Sequence, residues 1–125
     1  PRSYLGLGVA GFPNLFMIYG PNTNLGHGGS AIFHSECQVR YIMLALREMI
    51  ERGARSMTCR QAPHDAYNER IDEANRLRTW GFSTVSAWYK NDFGRTAQNW
   101  PFSVLEYWEQ TRRVDIGDYQ VVCAS

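Results

Sequence analysis

The sequence predicts a mostly helical α+β fold with few short strands. An apolar run at residues 15–19, a loop at 20–29 and a long periodic stretch at 31–50 indicate a strand, a loop and a helix in succession. Two further helical patterns follow at 63–78 and 103–112, and only short stretches between them favour strands. At 125 residues the chain has the length of one domain.

The first strand and its loop are the most informative part of the chain. Residues 15–19 are bounded by Pro13-Asn14 and Gly20-Pro21, a pattern typical of a strand buried on both faces. The loop at 20–29 holds four Gly, two Asn and one Pro, and Gly28-Gly29-Ser30 supplies a turn and an N-cap. This layout brings backbone N–H groups and the positive end of a helix to a place where an anionic cofactor could lie.

The helix predicted at 31–50 is apolar over more than one stripe, and Gly53 is expected to end it. Helices that are apolar over such a width usually lie between the layers of a larger protein. One stripe is formed by Ile32, Val39, Met43, Leu46 and Ile50, and the other by Phe33, Cys37, Tyr41 and Leu44.

The second half is predicted to alternate short strands with two helices. Strands are expected at 56–59 and 84–89, with a loop at 91–99 and no clear pattern after Val114. Pro63 begins one helix and Gly81 follows its end, and Ser103-x-x-Glu106 is a capping box for the other. The residues of the helix at 63–78 that are expected to face inward are Ala66, Tyr67, Ile71, Ala74 and Leu77.

The composition excludes several classes of protein. Thirteen basic and twelve acidic side chains give a net charge of +1, which leaves no electrostatic footprint for nucleic acid. Three widely spaced cysteines without a CxxC pair predict reduced thiols and a cytoplasmic location. The longest apolar run, at 15–19, is far shorter than the roughly 20 residues that span a bilayer. A soluble protein is therefore expected.

Gly6, Gly8 and Gly11 form a literal GxGxxG that lacks the context of a dinucleotide-binding fingerprint. Only five residues precede the motif, and a strand at 15–19 follows it where a helix is required. We therefore predict a flexible connection at these glycines.

The histidines do not predict a metal site. His34 and Cys37 are one helical turn apart and could share a face, but no third ligand is indicated. His27 lies in the Gly-rich loop, where it is either a solvent-exposed side chain or a pocket-lining group that titrates near neutral pH.

Aromatic residues make up 14% of the chain and are concentrated in its second half. Such a cluster usually packs a core or an interface between domains, and a sugar-binding platform is the alternative. The residues concerned are Trp80, Trp88, Tyr89, Trp100, Tyr107 and Trp108.

One segment carries a family resemblance. The sequence PNLFMIYGPNTNLGH at 13–27 closely resembles the C-terminal FAD-binding stretch of Baeyer–Villiger and related flavin-containing monooxygenases. Nearly the whole chain shares the likeness, through ECQVRYI at 36–42, SAWYKNDFGR at 86–95, NWP at 99–101 and LEYW at 105–108. The resemblance implies an α/β parent with two dinucleotide-binding domains. Residues 1–55 would end its FAD-binding domain, and 56–125 would form an aromatic-rich helical extension.

The resemblance also implies the roles of the loop. In such enzymes a strand reaches the flavin and a GPN loop lies near the isoalloxazine, which assigns residues 25–28 to the border of the substrate pocket. No catalytic residue and no metal ligand is expected in this chain. The FAD contacts implied are Tyr19, Gly20, Pro21, Asn22, Thr23 and Asn24, and the substrate border is Leu25, Gly26, His27 and Gly28.

The expected function is that of one part of a larger enzyme. The family's two true GxGxxG motifs, its fingerprint sequence and its active-site Arg have no counterpart here, and the chain opens on Pro1 without an initiator Met. The resemblance implies a monooxygenase that uses FAD, NADPH and O2 to oxidise ketones or soft heteroatoms. The alternatives are a stand-alone aromatic-rich interaction or ligand-binding module and another flavoprotein with two dinucleotide folds, such as a disulfide reductase.

An incomplete domain is expected to leave apolar surface uncovered. The strand at 15–19 has two unpaired edges, and the helix at 31–50 expects layers on more than one side. We therefore predict that the chain alone binds neither FAD nor NADPH tightly and associates with further copies of itself through these two segments.

Overall fold

The computed structural model describes residues 1–26, 28–82 and 87–123. Over these residues the chain is mostly helical with short strands, which confirms the predicted fold class. The helices are α1 (Ala31–Glu51), α2 (Gln61–Arg76) and α3 (Val104–Thr111), with 3-10 turns at Thr79–Gly81 and Ile116–Asp118. The strands are β1 (Asn24–Leu25), β2 (Ala54–Cys59), β3 (Asn99–Trp100) and β4 (Tyr119–Cys123).

The strands form two small sheets. β2 pairs antiparallel with β4, with Cys59 opposite Tyr119, so the strand predicted at 56–59 is confirmed and its partner comes from the tail. β1 pairs in parallel with β3, with Leu25 opposite Trp100. This second pairing ties the loop at 20–29 to the second half of the chain.

One buried cluster joins both halves of the chain. α1 packs against α3, and the rings of Trp100 and Tyr107 meet edge to face with centroids 5.2 Å apart. The cluster consists of Leu5, Leu7, Cys37, Tyr41, Ala45, Met57, Cys59, Tyr67, Ile71, Trp100, Tyr107 and Tyr119.

Helix α1 confirms the prediction at 31–50. Its end is marked by Gly53, which adopts φ 61° and donates its N–H to the carbonyl of Ile50. The stripe that contains Cys37 and Tyr41 is buried. The other predicted stripe is exposed along its length, up to 80% at Ile50. No helix of the described residues is long and apolar enough to cross a membrane.

The prediction of a buried strand at 15–19 is wrong for this chain. The segment is irregular, and Leu15, Ile18 and Tyr19 are exposed. The N–H of Met17 bonds to the carbonyl of Leu7, a residue of a tight turn, and the segment pairs with no strand among the described residues. A buried strand needs paired backbone along its edges and a layer on each face, whereas the described residues supply a single backbone hydrogen bond to Leu7 and leave Leu15, Ile18 and Tyr19 exposed.

Helix α2 begins two residues before the predicted start and ends at Arg76. Tyr67 and Ile71 are buried as predicted, whereas Ala66 and Leu77 are exposed. Leu77 follows the helix end, where helical periodicity no longer applies. The face that packs inward carries polar groups that hydrogen-bond to neighbouring carbonyls, and its buried members include His64, Asn68, Ile71 and Asn75.

The remaining predictions have mixed outcomes. The helix start predicted at Ser103 is confirmed, because Oγ of Ser103 accepts the N–H of Glu106 at 3.2 Å as the N-cap of α3, while the Glu106 carboxylate accepts from Arg70. Residues 84–86 of the strand predicted at 84–89 lie outside the described residues, and Trp88 and Tyr89 form a turn. The loop predicted at 91–99 is present, although its last residue begins β3.

Candidate functional site

Asn22 lies at the centre of the loop and is 1% exposed. Its backbone has φ 60°, a left-handed conformation that Asn tolerates better than most residues. Nδ2 donates to the carbonyls of Thr96 at 2.9 Å and Asn99 at 3.1 Å, and the backbone N–H donates to Ala97 at 3.1 Å. The loop is therefore fixed on its inner side by a segment more than 70 positions away.

Glycines allow the loop to approach the start of the chain. A Cβ on Gly20 would lie 2.3 Å from the carbonyl oxygen of Gly6, and a Cβ on Gly6 would lie 2.0 Å from Cγ2 of Thr23. Oγ1 of Thr23 donates to the carbonyl of Gly20 at 2.7 Å. Gly6, the first glycine of the GxGxxG, thus makes room for the loop, and no helix follows the motif until Ala31.

The outer side of the loop faces solvent around Tyr19, which is 46% exposed. Its N–H donates to Oε1 of Gln38 at 2.8 Å and its hydroxyl donates to Oδ1 of Asn24 at 2.6 Å. A shallow cavity of about 250 Å³ separates Tyr19 and Pro21 from Gln98. This volume is below the usual range for ligand pockets, so the cavity suits one edge of a larger ligand.

The N-terminus of α1 follows the loop directly. The side chain of Ser30, its N-cap residue, makes no capping hydrogen bond, and the first turn carries no acidic residue. Free N–H groups and the positive end of the helix dipole are thus oriented to receive a negative charge.

Among the residues predicted to border the substrate, Gly26 lies against a tryptophan, and the adjacent Gly29 lies against α3. A Cβ on Gly26 would lie 3.0 Å from the ring of Trp80, and one on Gly29 would lie 2.5 Å from Val104. Leu25 belongs to β1, Gly28 has open space where a side chain would be, and His27 lies outside the described residues.

His34, on helix α1, contacts the buried side of the loop. Its Nδ1 lies 3.0 Å from the carbonyl oxygen of Thr23, and its ring stacks on Tyr107 with centroids 4.1 Å apart. Nε2 is buried and has no hydrogen-bond partner among the described residues. Burial lowers the pKa of His34 and outweighs the bond to Thr23, which raises it, so the neutral ring donates through Nδ1.

The cysteines are free thiols that do not pair with His34 in a metal site. Cys37 and Cys59 are buried, and burial raises the pKa of both thiols, that of Cys59 to about 11. Within residues 1–26, 28–82 and 87–123, no group of three His, Cys, Asp or Glu side chains could hold a metal ion.

The aromatic residues do not form one exposed platform. Trp100 and Tyr107 are fully buried, whereas Trp88 is 71% exposed. The guanidinium groups of Arg40 and Arg112 each lie 5.6 Å from the ring centroid of Trp108. Of the six residues, two therefore belong to the core, and Trp80, Tyr89 and Trp108 are half-buried.

The polar network beneath the loop was not predicted. It includes Arg95, which bonds to Asn22, and Asn75, whose Nδ2 donates to the carbonyl of Asn99 at 3.2 Å. One signal was available, because His64, Asn68 and Asn75 recur at the helical spacing of Ile71. No local pattern marks Arg95.

Relatives of the chain are monooxygenases. The chain is 40% identical to an uncharacterized monooxygenase of Sinorhizobium fredii over 97% of its own length and 18% of the relative. It is 36% identical to a Baeyer–Villiger monooxygenase of Streptomyces coelicolor over 91% of this chain and 22% of that protein. An FAD-binding monooxygenase of Aspergillus niger is 34% identical over 95% of this chain and 20% of its own length. The chain thus spans about a fifth of the curated relatives it matches, and no family model matches it.

Solved structures share the fold. An oxidized steroid monooxygenase bound to NADP superposes with a TM-score of 0.81 and 24% identity, over 99% of this chain and 23% of its own. A closed structure of cyclohexanone monooxygenase gives a TM-score of 0.78 and 23% identity, over 99% of this chain and 24% of that protein. At these identities the likeness establishes the fold alone.

Proposed function

Because the chain is related to a segment of monooxygenases that include Baeyer–Villiger monooxygenases, we propose that it is the C-terminal part of an FAD- and NADPH-dependent monooxygenase. The parent would use O2 to oxidise ketones or soft heteroatoms. The observation that carries this proposal is the match of nearly the whole chain to enzymes of that description. The same match favours a monooxygenase over a disulfide reductase or a stand-alone module.

The loop offers an outer face that suits a flavin edge. We assign the FAD contacts to Tyr19, Gly20, Pro21, Asn22, Thr23 and Asn24. The side chains of Asn22 and Thr23 are buried and hydrogen-bonded inside the chain, so these two residues would contact the cofactor through main-chain atoms. The uncapped N-terminus of α1, with no acid in its first turn, favours the charge of an anionic cofactor.

The chain's contribution is to orient the cofactor and limit access of water. When bound, FAD would supply the redox chemistry with NADPH and O2, and the residues of the loop would hold it. We assign the substrate border to Leu25, Gly26, His27 and Gly28, beside Trp80. No catalytic residue is assigned to this chain.

The exposed apolar surface indicates that the chain packs against other parts of a larger protein. We propose that residues 1–55 complete an FAD-binding domain and that 56–125 extend it, with the outer stripe of α1 and residues 15–19 covered by the rest of the enzyme. In the isolated chain the same surface would be covered by further copies, giving a homo-oligomer. A cytoplasmic location agrees with the free thiols of the described cysteines.

The test uses the full-length monooxygenase. Tyr19→Ala removes an exposed aromatic side chain from the loop, and Phe93→Ala removes one of 95% exposure from a distant turn as the matched control. We expect Tyr19→Ala to lose bound flavin and product formed per NADPH consumed, whereas Phe93→Ala keeps both. Replacing 20–29 by a Gly/Ser loop of equal length should abolish flavin binding. Unchanged flavin content in both loop variants would overturn the proposal.

A further inference from the structure

Arg95 is the point where three parts of the chain meet. Its Nη1 donates to the carbonyl of Pro1 at 2.6 Å, and its Nη2 donates to Oδ1 of Asn22 at 3.0 Å and to Oδ1 of Asn68 at 3.3 Å. One guanidinium therefore joins the start of the chain, the loop and helix α2.

Asp72 holds the guanidinium on the helix side. Its Oδ1 lies 2.8 Å from Nε of Arg95, and its Oδ2 lies 2.9 Å from Nη2 of Arg2. The contact with Nε has the distance of an ion pair without the geometry of a hydrogen bond. The Arg95 and Asp72 side chains are 14% and 15% exposed, so water screens this pair less than the pair with Arg2, which is 54% exposed.

Asn68 adds a second fixed point on α2. Its Nδ2 donates to the carbonyls of Ser3 at 3.0 Å and His64 at 2.8 Å, which leaves Oδ1 directed at Arg95. Both partners of the guanidinium on α2 are thus held by contacts of their own. The position of Arg95 is set by a helix, which is a more rigid support than a loop.

The orientation of the Asn22 amide depends on this arrangement. Because Oδ1 accepts from Arg95, Nδ2 faces the carbonyls of Thr96 and Asn99. Reversing the amide would set Nδ2 against a cation and Oδ1 against two carbonyls. Arg95 and the two carbonyls therefore fix the orientation of the Asn22 amide together.

We propose that Arg95 is a positioning residue for the flavin, acting through Asn22 on the loop formed by residues 19–24. The inference rests on the proposed function and adds a residue that lies outside that loop. Arg95 contacts neither cofactor nor substrate in this assignment. It transmits the position of α2 to the main-chain atoms of the loop that would meet the cofactor.

The contacts require a guanidinium. A planar group with five N–H donors reaches Pro1, Asn22, Asn68 and Asp72 together, whereas the ammonium of Lys has three donors at one point. Arg95→Lys keeps the charge beside Asp72 and loses part of the hydrogen bonding. It is thus the variant that separates positioning from charge.

The experiment compares Arg95→Lys and Arg95→Met with Arg76→Met in the full-length monooxygenase. Arg76 is exposed at the end of α2, lines the same shallow cavity as Arg95 and forms no hydrogen bond or ion pair with the described residues of the loop. The readouts are the absorbance and fluorescence spectrum of bound flavin and the product formed per NADPH consumed. Because small misplacements of reacting groups lower rates steeply, we expect Arg95→Lys to reduce that ratio by about tenfold and to alter the flavin spectrum, with Arg76→Met unchanged.

A second measurement covers the case in which Arg95→Met fails to fold. Arg95→Lys is combined with Asn22→Ala, and the effects on the product ratio should be smaller together than their sum, because both changes break the same contact. Additive effects, or a flavin spectrum and product ratio of Arg95→Lys equal to those of the unaltered enzyme, would overturn the role of Arg95. Those results would leave the proposed function standing, since that function fails only on unchanged flavin content in the loop variants.

Discussion

Gly6→Ala should destabilise the chain far more than Gly11→Ala, although both glycines belong to the same GxGxxG. Both have left-handed backbones, with φ 71° and 83°, so each substitution incurs a strain of about 1–2 kcal/mol. A Cβ on Gly11 meets nothing within 4 Å, whereas one on Gly6 lies 2.0 Å from Cγ2 of Thr23. The difference between the variants therefore isolates the close approach of the loop.

The stability lost in Gly6→Ala depends on how far the side chain of Thr23 can move. It is fully buried, and its Oγ1 donates to the carbonyl of Gly20 at 2.7 Å. Relieving the clash requires either a backbone shift of about 1–3 kcal/mol or the loss of that hydrogen bond, about 1 kcal/mol net. Added to the strain, Gly6→Ala should cost about 2–5 kcal/mol of unfolding free energy, against about 1–2 for Gly11→Ala.

The assay is urea unfolding of the 125-residue chain, followed by tryptophan fluorescence at one fixed chain concentration. Thr23→Ser removes the clashing methyl group and keeps the hydroxyl, so the double variant Gly6→Ala/Thr23→Ser should recover most of the clash energy. If Gly6→Ala costs no more than Gly11→Ala, or if Thr23→Ser gives no rescue, the packing role of Gly6 is refuted.

Further predictions concern cofactor, pH and assembly. Asn22→Leu removes the donor to two carbonyls and the acceptor for Arg95. In the full-length enzyme it should therefore weaken FAD retention and oxygenation. Unchanged flavin content and unchanged product per NADPH would count against the loop assignment. Burial lowers the pKa of His34, so below pH 6.5 the unfolded chain binds a proton more readily than the folded chain does. The unfolding free energy should therefore drop by up to about 1.4 kcal/mol for each pH unit. His34→Gln should flatten this dependence in urea titrations. Titration of the isolated chain with FAD and with NADPH should reveal no tight binding, and micromolar affinity for either would contradict the expectation. Light scattering should detect a dimer or a larger assembly, whereas a stable folded monomer at micromolar concentration would refute the assignment of the exposed apolar surface.

Local signals were sufficient for most helices and one strand. The periodicity from Ala31 and the glycine at 53 define α1, and the capping box at Ser103 defines the start of α3. These features depend on neighbours within a few positions, which the sequence displays directly. The family resemblance, carried by residues 13–27, agrees with the named relatives.

Contacts over long separations were not readable from the sequence. Arg95 lies 73 positions from Asn22 and 94 from Pro1, so no spacing rule connects them. The strand expected at 15–19 failed for a related reason, because strand formation depends on a partner that local sequence does not specify. The apolar residues of this segment predict that it is buried in the complete protein, but they do not identify the surface that buries it.

The inner and outer sides of the loop thus differ in what they contact. The inner side is complete within the described residues: Asn22 is fully hydrogen-bonded, Gly6 allows close approach, and Arg95 is fixed by α2. The outer side is exposed at Tyr19, and the stripe of α1 that contains Met43 and Ile50 is exposed and apolar. If the loop contacts the flavin as proposed, a substitution on the inner side would affect the cofactor only by moving the main chain of the loop, whereas one on the outer side would act by direct contact. Inner variants should change spectra and coupling together with stability, and outer variants should change cofactor retention at unaltered stability.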